Sequence, residues 1–205
     1  MKSAPFRNIE VLVVDDEPAL RDTVSRNILS LGYSVTSAET AEKALEQIAV
    51  KPLNILVSDV KMGKMDGLEL GNRLREKDGA IAIIFMTGKP NPKDMASAQN
   101  MGAIQYISKP FGLVEFAENL AIAARWNIAQ LIGKAAEKYF ALRGGRMSVL
   151  ENKFQRMKTE TKNVMLNKGD ASLLVEMAYA KSPQSTRLCS LMDERMAPHL
   201  RTVNK

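Results

Sequence analysis

Apolar residues in the first part of the chain fall into short runs separated by segments of helical period. Ile9–Val14, Leu53–Val57 and Ala80–Met86 are nearly continuous, Tyr33–Ala38 alternates, and Ala103–Ile107 is a fifth run. Short continuous runs of this kind suit parallel strands buried on both faces. Pro18 fits the first turn of a helix, Val24, Ile28 and Leu31 recur at helical spacing after it, and Gly32 ends the element. Thr40 is a candidate N-cap for a helix whose apolar face is Ala44, Leu45, Ile48 and Ala49. Leu68, Leu70 and Leu74 mark a third helix, Pro92–Met101 a short and weakly patterned fourth, and Phe111–Leu120 opens the next. This alternation predicts βα units assembled into a five-stranded parallel sheet, doubly wound by helices.

Beyond residue 112 the period is helical throughout. Leu113, Ala117, Leu120, Ala124, Ile128, Leu131, Ala135, Tyr139 and Leu142 form one stripe with a mean period of about 3.6, so a single helix about 45 Å long is expected. The alternative is a break at Trp126–Asn127. Gly144–Gly145 interrupts the stripe, after which Met147, Leu150, Phe154, Met157, Thr161 and Val164 step by three and four in a heptad pattern. Two shorter helices are expected around Leu173–Ala178 and Pro183–Met196. The chain thus reads as an α/β domain at 1–125 and an all-helical region at 126–205, the latter a long connecting helix and three shorter ones.

Composition and charge sharpen this division. Of 205 residues, 45% are hydrophobic and 25% charged, which argues against disorder as the main state. No run is long enough for a membrane span and no apolar leader is visible, so a cytoplasmic location is expected. A single cysteine, Cys189, rules out an internal disulfide, and a single histidine, His199, leaves little for histidine-based metal sites or catalysis. Residues 1–124 carry a net charge of −2 and residues 125–205 a net charge of +8. The basic half therefore raises an anionic partner as one possibility, with Lys153, Arg156, Lys158 and Lys162 as the nucleic-acid candidates. A solvated helix face is the other.

In an open parallel sheet the site lies beyond the carboxyl ends of the strands. The residues just after the runs are Asp15, Asp16, Asp59, Thr87 and Lys109. Crowded carboxylates repel unless a cation compensates them, and Mg²⁺ suits oxygen ligands shared with phosphate. An aspartate so compensated can take a phosphoryl group, with Lys109 and Thr87 as donors to its oxygens.

The segments VLVVDDEP, ILVSDVKMGKMDG, IIFMTG and YISKPF resemble the receiver domain of a two-component response regulator, over about residues 7–125. The resemblance implies a flavodoxin-like fold and Asp59 as phosphoacceptor. It implies Mg²⁺ held by Asp16, Asp59 and the Lys61 backbone carbonyl, with Asp15 acting through a coordinated water. Thr87 and Lys109 would bind the phosphoryl oxygens, Thr87 and Tyr106 would form the switch pair, and Pro110 takes the family's cis-proline position. The implied partner is a sensor histidine kinase or phosphotransfer protein, and the only chemistry is the chain's own phosphorylation and dephosphorylation. Gly63 stands where the family often has proline, which suggests a more mobile loop. Lys61 and Lys89 flank the path of a water attacking the acyl phosphate.

For the helical region two outputs are expected. One is a bundle that dimerises or binds a protein, favoured by the heptad pattern and the methionine-rich faces. The other is a DNA- or RNA-binding regulator, for which TKNVML at Thr161–Leu166 is similar to part of the ANTAR antiterminator domain.

Overall fold

The computed structural model describes residues 9–142. The chain divides into two compact units, Met1–Asn127 and Ile128–Lys205. Within the first, β1 (Glu10–Val14), β2 (Ser34–Ala38), β3 (Ile55–Asp59), β4 (Ala82–Thr87) and β5 (Gln105–Ser108) alternate with α1 (Pro18–Ser30), α2 (Ala41–Val50), α3 (Gly67–Lys77) and α4 (Pro92–Asn100). A fifth helix, α5 (Leu113–Leu142), follows β5. The strands form one parallel sheet in the order β2-β1-β3-β4-β5.

The burial of each strand follows from that order. Central β3 and β4 are buried at every position, while edge strands β2 and β5 leave residues exposed. This is why β2 alternates and β3 and β4 read as continuous apolar runs. Successive side chains point to opposite faces. Leu12, Val14, Leu56, Ile83 and Phe85 join a core with Ala44, Ile48, Leu70, Leu74 and Ala98 from α2, α3 and α4. Val11, Val13, Val57 and Ile84, on the other face by alternation, are equally buried, as are Val24 and Ile28 of α1 and Phe116 and Leu120 of α5. Each large apolar side chain buried in this way stabilises the fold by roughly 1.5–3 kcal/mol.

Local signals hold at the helix ends. Thr40 accepts the Lys43 N–H at 3.2 Å, Pro18 opens α1, and Gly32 sits at φ 90°, where glycine carries no Cβ penalty. Three strand ends run further than the sequence expectation, β5 to Ser108 among them. Ser58 and Asp59 belong to β3 and Thr87 to β4, because the ladder continues: the Val60 N–H still donates to Met86 O.

The long helix is continuous from Leu113 to Leu142, 30 residues without the break considered at Trp126–Asn127. Of the expected stripe, Leu120, Ala124 and Leu131 are buried. Leu113 is 50% exposed, and the side chains that α5 buries in the first unit are Phe116, Leu120, Ala123, Ala124 and Asn127. Phe111, just ahead of the helix, stacks on the buried Phe116 at 5.4 Å. The expected helices and heptad stripe after residue 142, Gly144–Gly145, Cys189 and His199 lie outside the described residues. Among the described residues no helix is long and apolar enough to cross a membrane.

Candidate functional site

Parallel pairing in register brings the predicted residues to one edge. Val14 pairs with Ser58, Asp59 with Met86, and Thr87 with Ser108, so Asp15, Asp59, Thr87 and Lys109 line the carboxyl ends of β1, β3, β4 and β5. The Lys109 ammonium lies 2.8 Å from Asp15 Oδ2 and 2.7 Å from Asp59 Oδ1, bridging two carboxylates that are 1% and 10% exposed. The Lys109 N–H donates to Thr87 O at 2.7 Å, and the Lys109–Pro110 peptide is cis, as the family position implied.

The local chain holds each group in place. Asp15 Oδ1 accepts the Glu17 N–H at 2.9 Å, and Arg21 Nη1 on α1 donates to Asp15 O at 2.7 Å. Asp59 Oδ2 accepts the Lys61 N–H at 3.1 Å, and Ser58 Oγ donates to Asp59 O at 2.9 Å. Gly67 begins α3 directly against this loop, where a Cβ would stand 1.9 Å from Asp59 O. Only glycine fits between the helix start and the Asp59 carbonyl. Asp66, the N-cap of α3, accepts the Glu69 N–H at 2.8 Å. Gly67 and Arg21 were not singled out from the sequence. Asp66-Gly67, an N-cap followed at once by glycine, was a signal for the first, whereas nothing local marked Arg21.

The site is short of positive charge. Burial pushes the Asp59 carboxyl above its ordinary range, although the hydrogen bond and charge of Lys109 pull it down. Burial also pulls the Lys109 ammonium down, but hydrogen bonds to Asp15 and Asp59 outweigh this and hold it above its ordinary range. One ammonium does not balance two buried carboxylates, so the donor set fits an added hard cation. Asp16, in contrast, is exposed, and among the described residues no three Asp, Glu, His or Cys side chains form a preformed metal cluster. The expected crowding of three carboxylates is thus a buried pair with a third at the mouth.

The remaining residues are distributed around this pair. Thr87 is buried and its Oγ1 accepts the Lys89 N–H at 3.1 Å. Lys89 is exposed. The Tyr106 hydroxyl is buried without a hydrogen-bond partner. The Lys61 ammonium reaches to Asp94 Oδ2 on α4 at 3.0 Å and to Asp66 Oδ2 at 4.0 Å. A Cβ at Gly63 would meet nothing within 4 Å, so packing does not demand glycine there. Lys153, Arg156, Lys158 and Lys162 lie outside the described residues.

The chain is similar to known proteins over this first unit. Residues 11–121 match the model of the response regulator receiver domain. The response regulator MprA of Mycobacterium bovis is 35% identical over 108 residues, which is 53% of this chain and 47% of that protein. The chain therefore spans about half the length of the curated relatives it matches. Among solved structures, the receiver domain of an HD domain-containing protein from Pseudomonas fluorescens Pf-5 aligns with a TM-score of 0.57 and 28% identity, covering 59% of this chain and 98% of that one. The beryllofluoride-activated NtrC4 receiver domain dimer aligns with a TM-score of 0.55 and 27% identity, covering 58% and 98%. With the family model spanning more than half of the sequence, and the flavodoxin-like sheet carrying its acidic pair and lysine at the matched strand ends, this chain belongs to the response regulator receiver family of two-component signalling.

Proposed function

We propose that Asp59 accepts a phosphoryl group from a sensor histidine kinase or phosphotransfer protein, and that the resulting acyl phosphate switches an output encoded by residues 126–205. The observation that supports this is the Lys109 ammonium seated between the Asp15 and Asp59 carboxylates at 2.8 and 2.7 Å. An Asp59 carboxylate oxygen attacks phosphorus, the new P–O bond forms as the bond to the donor nitrogen breaks, and the donor imidazole leaves with the electron pair. Lys109 then exchanges its contact with the carboxylate for one with the phosphoryl oxygens, a charge-assisted bond of the stronger kind. Thr87 supplies a hydroxyl to the same group, and Tyr106 follows it as the second half of the switch. Asp16, Asp59 and the Lys61 carbonyl, with Asp15 through water, are the residues that would hold Mg²⁺. The ion supplies charge neutralisation for the transferring phosphoryl group. The chain has no other catalytic role in this reading, and it acts in the cytoplasm.

The output is proposed to dimerise or to bind a protein partner. The heptad pattern after Gly145 supports this reading, and the similar NtrC4 receiver domain is a dimer in its beryllofluoride-activated form. The net charge of +8 over residues 125–205 supports the alternative, a nucleic-acid output.

Incubation of the full chain with acetyl phosphate and Mg²⁺ tests the central claim. Wild type is expected to take up one phosphoryl group that is labile to hydroxylamine, and Asp59→Asn none. Undiminished uptake by Asp59→Asn would remove Asp59 from this role.

A further inference from the structure

Helix α4 is weakly held by apolar packing. It has nine residues, of which Ala98 alone is buried, and Met95 on its surface is 40% exposed. Polar tethers secure it at both ends instead. At its C-terminal end Arg75 of α3 donates through Nε to Met101 O at 3.1 Å and through Nη2 to Gly102 O at 3.0 Å. A third bond runs from Arg75 Nη1 to Gly79 O at 2.6 Å, and the guanidinium lies 5.4 Å from the Trp126 ring. That end is pinned to rigid neighbours. At the N-terminal end Asn91 caps the helix, its Oδ1 accepting the Asp94 N–H at 2.9 Å and its Nδ2 donating to Asp94 Oδ2 at 2.6 Å. The bond that leaves the helix is the ion pair from Asp94 to Lys61, at 3.0 Å.

Lys61 is therefore in two places at once. Its backbone N–H is on Asp59 Oδ2 at 3.1 Å, and its ammonium is on Asp94. The buried, unpartnered Tyr106 hydroxyl lies within electrostatic reach of the same ammonium. We propose that Lys61 is a positioning residue that ties the N-terminal end of α4 to the Asp59 carboxylate, so that occupation of Asp59 releases that end while Arg75 holds the other as a pivot. The proposal rests on Asp59 being the phosphoacceptor. The physical reason is that a group added at Asp59 competes with the Lys61 N–H for the carboxylate oxygen. The loop then moves, and an ion pair whose lysine is 59% exposed is easily given up. A helix with one buried side chain has little else to keep that end in place.

The test is amide hydrogen exchange along α4 in the full chain, for wild type, Lys61→Met, Asp94→Asn, the double variant and Lys61→Arg. Without ligand, each single variant is expected to speed exchange in the first turns of α4 by about two- to fivefold, the size an exposed ion pair allows. Because Asp94 also accepts from Asn91, the double variant should exchange no faster than Asp94→Asn alone, Lys61→Arg should restore protection, and the Arg75-held end should be unchanged. With beryllofluoride and Mg²⁺, wild-type α4 should lose protection at its N-terminal end by a similar factor, and Lys61→Met, already released, should change little. Additive effects in the double variant, unchanged protection in both singles, or a full beryllofluoride response in Lys61→Met would overturn the proposal. If beryllofluoride binds to none of the proteins, the phosphoacceptor reading fails, and the unliganded comparison still decides the tether.

Discussion

Two buried polar clusters sit at opposite ends of the same strands, and they differ in how completely they are satisfied. At the carboxyl edge, Asp15, Asp59 and Lys109 leave an excess of negative charge, and Asp59 is pushed above its ordinary range by burial. At the amino edge, Asn54 Nδ2 donates to Asn127 Oδ1 at 3.0 Å, Asn127 Nδ2 donates to Ala80 O at 2.8 Å, and Asn54 Oδ1 accepts the Glu10 N–H at 2.9 Å. Every bond in that second cluster is neutral and matched. It ties α5 to the feet of β1 and β4 just before the first compact unit ends at Asn127. Burying polarity is costly unless it is paired. The matched cluster therefore reads as structure, fixing how α5 lies on the domain, whereas the unmatched one reads as a place waiting for a charged ligand.

The largest effect that would sharpen this contrast is expected from Lys109→Met. Two buried carboxylates would be left without their cation, and the domain should lose about 2–4 kcal/mol near neutral pH, allowing for the solvent access of the Lys109 head. Chemical denaturation should show the loss shrinking as Asp59 becomes protonated in acid, and Asp59→Asn in the same chain should recover part of it. Phosphorylation by acetyl phosphate should slow, and the acyl phosphate that forms should fail to loosen α4. A Lys109→Met protein as stable as wild type at every pH would contradict the reading of the carboxyl edge as charge-starved.

Asn127→Leu probes the other end. Asn54 Nδ2 and Ala80 O would both be left unpaired, at a cost of about 2–3 kcal/mol by denaturant titration. Phosphorylation of the folded protein should stay within about twofold of wild type, since nothing at the base touches Asp59. Asn54→Leu with Asn127→Leu should cost less than the sum of the singles by about 1 kcal/mol, because the two share a bond. A loss of phosphorylation that exceeds the loss of stability would dissolve the division between a structural and a functional cluster.

The smallest effect appears only in strong base. Tyr33 is 6% exposed, and burial pushes its hydroxyl up to about 12 from 10.0, with Arg125 pulling weakly the other way. The fold holds the phenol proton more tightly than the unfolded chain does. Stability from this group is thus complete below pH 10 and is lost as pH rises towards about 12. The total is at most about 2–3 kcal/mol, at about 1.4 kcal/mol per pH unit. In Tyr33→Phe, urea midpoints measured between pH 9 and 12 should fall less steeply than in wild type, and parallel curves would show that the phenol is not the titrating group.

The sequence carried the α/β part a long way. Continuous apolar runs separated by amphipathic segments lead to a parallel sheet, and the sheet leads to its carboxyl edge, so the placement of Asp15, Asp59, Thr87 and Lys109 is legible in the sequence alone. The site residues that were missed act through shape or through distant backbone. Gly67 matters because the Asp59 carbonyl occupies its Cβ position, and Arg21 because its guanidinium reaches a carbonyl six residues away. Asn127 drew attention only as a point where a helix might break. It lies beside Ile128, off the expected stripe, and its burial is explained only by Asn54, 73 positions earlier, which is found opposite it.

What the sequence determined by itself is local and periodic: strand and helix identity, the Thr40 cap, the Pro18 start, and the order in which chemistry-bearing residues follow the strands. Those depend on neighbours within a turn or a strand, which a linear pattern records. What only the tertiary structure decided is which polar groups meet across the chain. The phase of α5 against the sheet, the exposure of Asp16, the turn of Lys61 towards Asp94, and the matched pair at Asn54 and Asn127 are all of this kind. A side chain with a flexible stem or an uncharged amide carries no directional mark in the sequence, and its partner is chosen by which backbone the packing of the apolar core brings within hydrogen-bond reach.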